Sequence, residues 1–149
     1  MPQIVKDYVD TGKIKYIFMD FPLSFHKNAH KASEAANCAA EQGKFWQMHD
    51  RLFANQKAMA IGDLSKYAEV IGLDMPKFKR CLEGGVHTGE IQRRMAEGKK
   101  AGITGTPAFL LGFVQSDGRV KVVKKIKGAQ PYNSFKSAIG EMLSAKKER

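Results

Sequence analysis

The stretch Gly102-Ile103-Thr104-Gly105-Thr106-Pro107-Ala108-Phe109 decides the fold, because it carries the chain from a helical pattern through a Gly/Pro turn directly into an apolar strand. A Thr-Pro bond at the mouth of a strand suits a cis peptide, a form nearly confined to X-Pro bonds and at home in tight turns. An ordinary trans bond at a strand start is the alternative. Thr106 and Pro107 are therefore where chemistry is sought. The cysteines are Cys38 and Cys81, 43 positions apart, so the sequence contains no Cys-x-x-Cys.

Downstream of Pro107, Ala108 to Phe113 reads as a strand, Ser116-Asp117-Gly118 as a hairpin turn, and Val120 to Ile126 as a second strand. A helix closes the chain, with Pro131 suited to its first turn and Phe135, Ala138, Ile139, Met142 and Leu143 forming its apolar stripe. Upstream, from about Asn28 to Ala101, the pattern is helical, with breaks at Gly43, Ile61-Gly62-Asp63, Gly72-Leu73-Asp74 and Gly84-Gly85. Ala29, Ala32, Ala36 and Ala39 share one face of the first segment, and Phe45, Met48, His49, Leu52 and Phe53 one face of the second. Asp63 is placed to cap a third helix, and Asp74 a fourth that bears Phe78, Cys81 and Leu82. Ile91, Met95 and Gly98 line a fifth that stops at Gly102. At the N-terminus, Ile4, Val5, Tyr8 and Val9 repeat at helical spacing, Gly12 supplies a stop, and Ile14 to Met19 reads as a buried strand ended by Phe21-Pro22.

With 149 residues, 43% hydrophobic and 27% charged, the chain fits one globular domain with an adequate core. No run reaches the roughly 18 apolar residues of a membrane-spanning helix, and Met1 to Asp7 lacks the apolar stretch of a secretory signal. A net charge of +10 invites a nucleic-acid reading. The lysines are nevertheless spread over nearly every element, and the densest group, Lys121 to Lys127, alternates with Val120, Val122, Val123 and Ile126 as on a protected edge strand. A nucleic-acid partner is not expected, and a basic nucleic-acid-associated protein ranks third among the readings of function.

The order helix, strand, helical block, Thr-Pro, hairpin, helix is that of a thioredoxin fold with a helical insertion. The residues along it resemble the DsbA-like thiol-disulfide oxidoreductases: Phe21-Pro22-Leu23, Phe25-His26-Lys27-Asn28-Ala29, Glu41-Gln42-Gly43-Lys44-Phe45-Trp46, His49-Asp50 with Leu52-Phe53, Gly72-Leu73-Asp74, Gly102 to Pro107 and Gly128-Ala129-Gln130-Pro131. The resemblance implies an α/β, thioredoxin-like fold, N-terminally truncated so that the central strand and its Cys-x-x-Cys are missing. It implies an N-terminal part at 1–26, a helical insertion at 27–101 and a C-terminal part at 102–149. It also implies a cis Pro107, with Thr106 and Pro107 binding an extended cysteine-containing protein or peptide. A periplasmic or extracytoplasmic location follows from the same resemblance. No catalytic residue transfers, because a thiolate is what makes exchange possible. The first expectation is thus a fragment or truncated member of that family, inactive as a dithiol oxidant in this form. The second is a non-enzymatic peptide-binding module. Loss of the central strand is expected to be met by a partner chain, by closing of the two flanking strands, or by element exchange in a homodimer.

Cys38 and Cys81 both lie beside apolar positions facing the helical core, and some DsbA-like relatives carry a second, non-catalytic disulfide in this region. A structural disulfide and two free buried thiols are both open. His26 and His30, spaced i, i+4 with Cys38 further along, hint at metal, but nothing completes a ligand set, and neither metal nor cofactor is expected. Glu34 and Glu41 fall on one helix face and read as solvated charge.

Overall fold

A computed structural model of the chain describes residues 1–147, so the last two positions of the expected 102–149 segment lie outside the described residues. Its elements are α1 (Pro2–Ile4), running on into a π-helical turn (Val5–Val9), then α2 (Ala29–Ala40), α3 (Phe45–Ala54), α4 (Ile61–Val70), α5 (Met75–Glu83), α6 (Thr88–Lys100), β1 (Ala108–Val114), β2 (Val120–Lys127) and α7 (Tyr132–Lys147). Two compact units divide the chain: Met19–Gly102, and Met1–Phe18 with the chain from Ile103 onward. Among the described residues, no helix is long and apolar enough to cross a membrane.

The Met19–Gly102 unit is helical, and alanines at one face of α2 are the reason it packs closely. Ala32, Ala35, Ala36 and Ala39 are buried there with Met48 and Leu52 of α3, Leu64 and Ala68 of α4, and Phe78, Cys81 and Leu82 of α5. Side chains this small let neighbouring helices approach until larger residues fill the space between them. α5 is the clearest product of local rules. Asp74 Oδ1 accepts the Lys77 amide at 3.0 Å as an N-cap, and Phe78, Cys81 and Leu82 follow as its buried face. Asp63 does not cap α4 as expected. That helix begins two residues earlier, and Asp63, now inside its first turn, accepts the Ala60 amide at 3.1 Å. The expected apolar face of α3 is also narrower than its sequence suggests: Met48 and Leu52 are buried, whereas Phe53 is 55% exposed.

In the other unit, β1 and β2 form an antiparallel pair from Ala108↔Lys127 to Val114↔Val120. The register shifts between Leu111 and Gly112. Gly112 is required there, since a β-carbon at its position would sit 2.4 Å from the Lys121 carbonyl oxygen. α7 covers the pair with Phe135, Ala138 and Ile139, which are buried with Ile4 and Ile126, while Tyr8, Ile14, Phe109 and Leu111 pack against them. Phe109 meets Phe135 edge to face at 4.8 Å. Tyr132 donates its hydroxyl proton to Asp7 Oδ2 at 2.5 Å, fastening α7 to the N-terminal helix.

Ile14 to Met19, expected as a buried strand, is not one. Its burial alternates, with Ile14, Tyr16 and Phe18 half-buried and Lys15, Ile17 and Met19 exposed, which is the period of an extended chain. A strand, however, is defined by its ladder, and β1 pairs with β2 alone among the described residues.

Candidate functional site

The Thr106-Pro107 turn is built by its surroundings in sequence. α6 ends where the Gly102 amide donates to the Lys99 carbonyl at 2.9 Å, and Gly102 takes φ +73°, which reverses the chain out of the helix. Five residues later the Thr106–Pro107 bond is cis, and β1 starts at Ala108. The Pro107 carbonyl accepts the Gly128 amide at 2.8 Å, tying the turn to the end of β2. Thr106 and Pro107 are both exposed, and within the described residues the Thr106 main chain makes no hydrogen bond. An exposed N–H and C=O at the open side of a strand's first residues are the groups that strand addition uses.

Cys38 on α2 and Cys81 on α5 are joined as a disulfide with Cα atoms 5.9 Å apart. Their residues are 1% and 6% exposed, which keeps the sulfurs from any protein-sized reactant.

Glu34 is not the solvated charge that its helical position suggests; it is 1% exposed. One helical turn away, Lys31 Nζ lies 2.6 Å from its Oε2 and His30 Nε2 3.4 Å from its Oε1, and the Thr88 hydroxyl also donates to Oε1. Burial alone would raise this carboxyl, but the hydrogen bonds from Lys31 and Thr88 and the charges of Lys31 and His30 outweigh it and hold the group below its ordinary value. A carboxyl lowered in the folded state stabilises above its unfolded value, here 4.5, and that contribution is lost as pH falls through the lowered folded value. Glu34→Gln should therefore cost about 1.5–3 kcal/mol at neutral pH. In urea titrations of both proteins at successive pH values, the gap between them should narrow below pH 4.5. A gap independent of pH would show that the charge contributes nothing.

His26 and His30 do not assemble around Cys38: His26 lies against the Phe25 ring at 4.5 Å, and His30 faces Glu34. Among the described residues, the His/Cys/Asp/Glu side chains that gather are instead Cys38, Cys81 and His87, with donor atoms all within 4.8 Å of one another, the two sulfurs being bonded to each other. Sequence reading missed His87. The Gly84-Gly85 break was the available signal, since with Gly85 at φ +59° the chain doubles back and the Val86 amide reaches the Cys81 carbonyl at 3.3 Å. Glu41, read as solvated, is exposed and brings Oε1 to 2.8 Å from His87 Nε2.

Comparison with known proteins agrees with this architecture. A family model described as Thioredoxin matches residues 1–139. The crystal structure of Wolbachia pipientis alpha-DsbA1 superposes with a TM-score of 0.80 at 24% identity, over 97% of this chain and 75% of that one, so the fold is DsbA-like. In sequence, the chain is 36% identical to the Na(+)/H(+) antiporter NhaA 3 of Salinispora tropica and 33% identical to the Na(+)/H(+) antiporter NhaA 1 of Salinispora arenicola, each match covering 74% of this chain. The matched stretch spans 17% of the length of these relatives.

Proposed function

We propose, from the premise that this chain belongs to the thioredoxin family, that it is the scaffold of a protein thiol-disulfide oxidoreductase of the DsbA-like kind, with residues 27–101 as a helical insertion between 1–26 and 102–149. Thr106 and Pro107 hold an extended, cysteine-containing polypeptide by main-chain pairing. The observation that carries this is the exposed Thr106 main chain, unpaired within the described residues and set at the mouth of β1 by the Gly128 to Pro107 bond.

Exchange proceeds when a thiolate attacks a disulfide sulfur, forms a mixed disulfide and expels the other sulfur as a thiolate, which a second thiol of the pair then resolves. The chain's own sulfurs are consumed in a buried disulfide. Residues 1–149 alone are therefore inert as a dithiol oxidant, and the attacking pair and the strand that bears it belong to a longer parent protein. That strand lies between Ile14–Met19 and β1, whose ladder among the described residues is with β2. Absent the parent strand, a second copy of the chain fills the position by exchanging an element. The setting is periplasmic or otherwise extracytoplasmic, which the Cys38–Cys81 disulfide favours. The same absence of a reactive pair favours a second reading, a non-enzymatic peptide-binding module carried within a larger protein.

Amide exchange of the chain with a reduced, unfolded cysteine-containing peptide tests the groove. The Thr106 amide should slow by about tenfold or more, and N-methylation of the peptide backbone should abolish the effect. No protection at Thr106 sinks both readings. Insulin reduction by dithiothreitol should run no faster with the chain than without it. An in-frame upstream strand ending in Cys-x-x-Cys selects the enzyme scaffold, and a stop codon there selects the module.

A further inference from the structure

We propose that reduction of Cys38–Cys81 converts this part of the molecule into a zinc site, with Cys38, Cys81, His87 and Glu41 as its four ligands. The proposal draws on the helical unit alone and is independent of the peptide groove.

Zinc in protein takes four ligands in a tetrahedron, with sulfur at about 2.3 Å and imidazole nitrogen or carboxylate oxygen at about 2.0–2.2 Å, so adjacent donor atoms stand roughly 3.3–3.8 Å apart. The two Sγ atoms and a ring nitrogen of His87 already lie within 4.8 Å of one another, a group that does not include Glu41. Glu41 Oε1 stands 2.8 Å from His87 Nε2 and has to turn from the imidazole to the ion; Glu41 follows Cys38 by three residues, so both project from the same side at the end of α2. His87 Nε2 is sealed from solvent and makes no well-aligned hydrogen bond, the carboxylate being its nearest ion-pair partner. An imidazole beside two sulfurs and a carboxylate offers the kinds of donor that Zn2+ takes.

Backbone features hold the set in place. Cys38 and Cys81 belong to the closely packed helical core, so their α-carbons need move little when the bond between the sulfurs opens. His87 is brought back over Cys81 by the Gly84-Gly85 turn, which is pinned by the Gly84 amide on the Arg80 carbonyl at 3.0 Å and the Thr88 amide on the Gly85 carbonyl at 3.0 Å. A shallow depression bordered by Glu41 and Cys81 gives an ion its way in. Lys77 and Arg80 line the same depression. Two thiolates and a carboxylate around Zn2+ leave one negative charge, which these cations offset.

The chemistry balances. A dithiol reductant gives two electrons and two protons to Cys38–Cys81 and becomes a disulfide; the two thiols then release their protons as two Zn–S bonds form. A disulfide oxidant takes the two electrons back and leaves as two thiolates, the Cys38–Cys81 bond re-forms and the ion departs, so zinc occupancy reports the redox state of the pair.

The test uses the full chain reduced with a phosphine, which forms no mixed disulfide, and then freed of it. One equivalent of Zn2+ should bind, block alkylation of both cysteines and raise Tm with concentration; Co2+ should give thiolate charge-transfer and intense tetrahedral visible bands. His87→Ala and Glu41→Ala should each weaken binding by about tenfold or more, His26→Ala should leave it unchanged, and the oxidised chain should take up none. If the reduced chain without metal is unfolded, Zn2+ must restore its helical circular dichroism. Failure of that recovery, no stoichiometric uptake, an unchanged Tm, or either ligand variant binding as tightly as the wild type overturns the proposal.

Discussion

Replacing both cysteines, Cys38→Ala with Cys81→Ala, is expected to destabilise the helical unit by about 4 kcal/mol in metal-free buffer. The disulfide closes a loop of 43 residues. Chain-entropy arguments assign about 4 kcal/mol to a crosslink of that length, because the unfolded chain regains the freedom that the link withheld. The folded state adds little of its own, since alanine fits a core in which Ala35, Ala36 and Ala39 are already neighbours, although the removed sulfurs leave a small void. With a urea dependence near 2 kcal/mol per molar, the midpoint should fall by roughly 2 M. The slope should increase as well, because an unlinked denatured chain exposes more surface. A midpoint shift below about 0.5 M would mean that the unlinked chain keeps the loop closed when unfolded, and the entropic account fails.

Which parts of this were legible in the sequence follows from how far apart the deciding groups lie. Asp74, Phe78, Cys81 and Leu82 specify α5 within nine residues, and cap and buried face appear together where expected. Pro107 and the hairpin after it were equally local. Ile14 to Met19 was read as a buried strand; its burial alternates as in an extended chain, but no strand is assigned there, because a strand is defined by a ladder that those six residues alone do not specify. Glu34 failed for the opposite reason. On its own helix it is a charge among alanines, while the Thr88 hydroxyl that helps to satisfy it is 54 residues away. His87 and Glu41 escaped likewise, their encounter depending on where the Gly84-Gly85 turn sends the chain. The thioredoxin-like fold was thus written in local signals, and the buried polar chemistry in tertiary ones.

Arg94→Met should cost about 3–5 kcal/mol, a second large loss that nothing in the local sequence announces. Asp20 follows the Ile14 to Met19 segment and has a side chain only 1% exposed. Arg94 Nη1 donates to its Oδ2 at 2.6 Å and to Asn37 Oδ1 at 3.2 Å, Asn37 Nδ2 donates to the same carboxylate oxygen at 2.9 Å, and Arg94 Nη2 reaches Glu90 at 2.5 Å. The guanidinium therefore joins the segment after Met19 to α2 and α6 by a fork that a single ammonium cannot reproduce, so Arg94→Lys should fall between wild type and Arg94→Met. Removing one partner of a buried pair leaves a charge with neither water nor counter-ion, which accounts for the size of the loss; removing both replaces the pair with apolar contact. The double variant Asp20→Leu with Arg94→Met should accordingly recover most of what the single variant loses. The cycle of four proteins, read by urea midpoints at pH 7, isolates the coupling. Should the two single losses simply add, Asp20 and Arg94 act independently, and the segment after Met19 is held by its apolar neighbours instead.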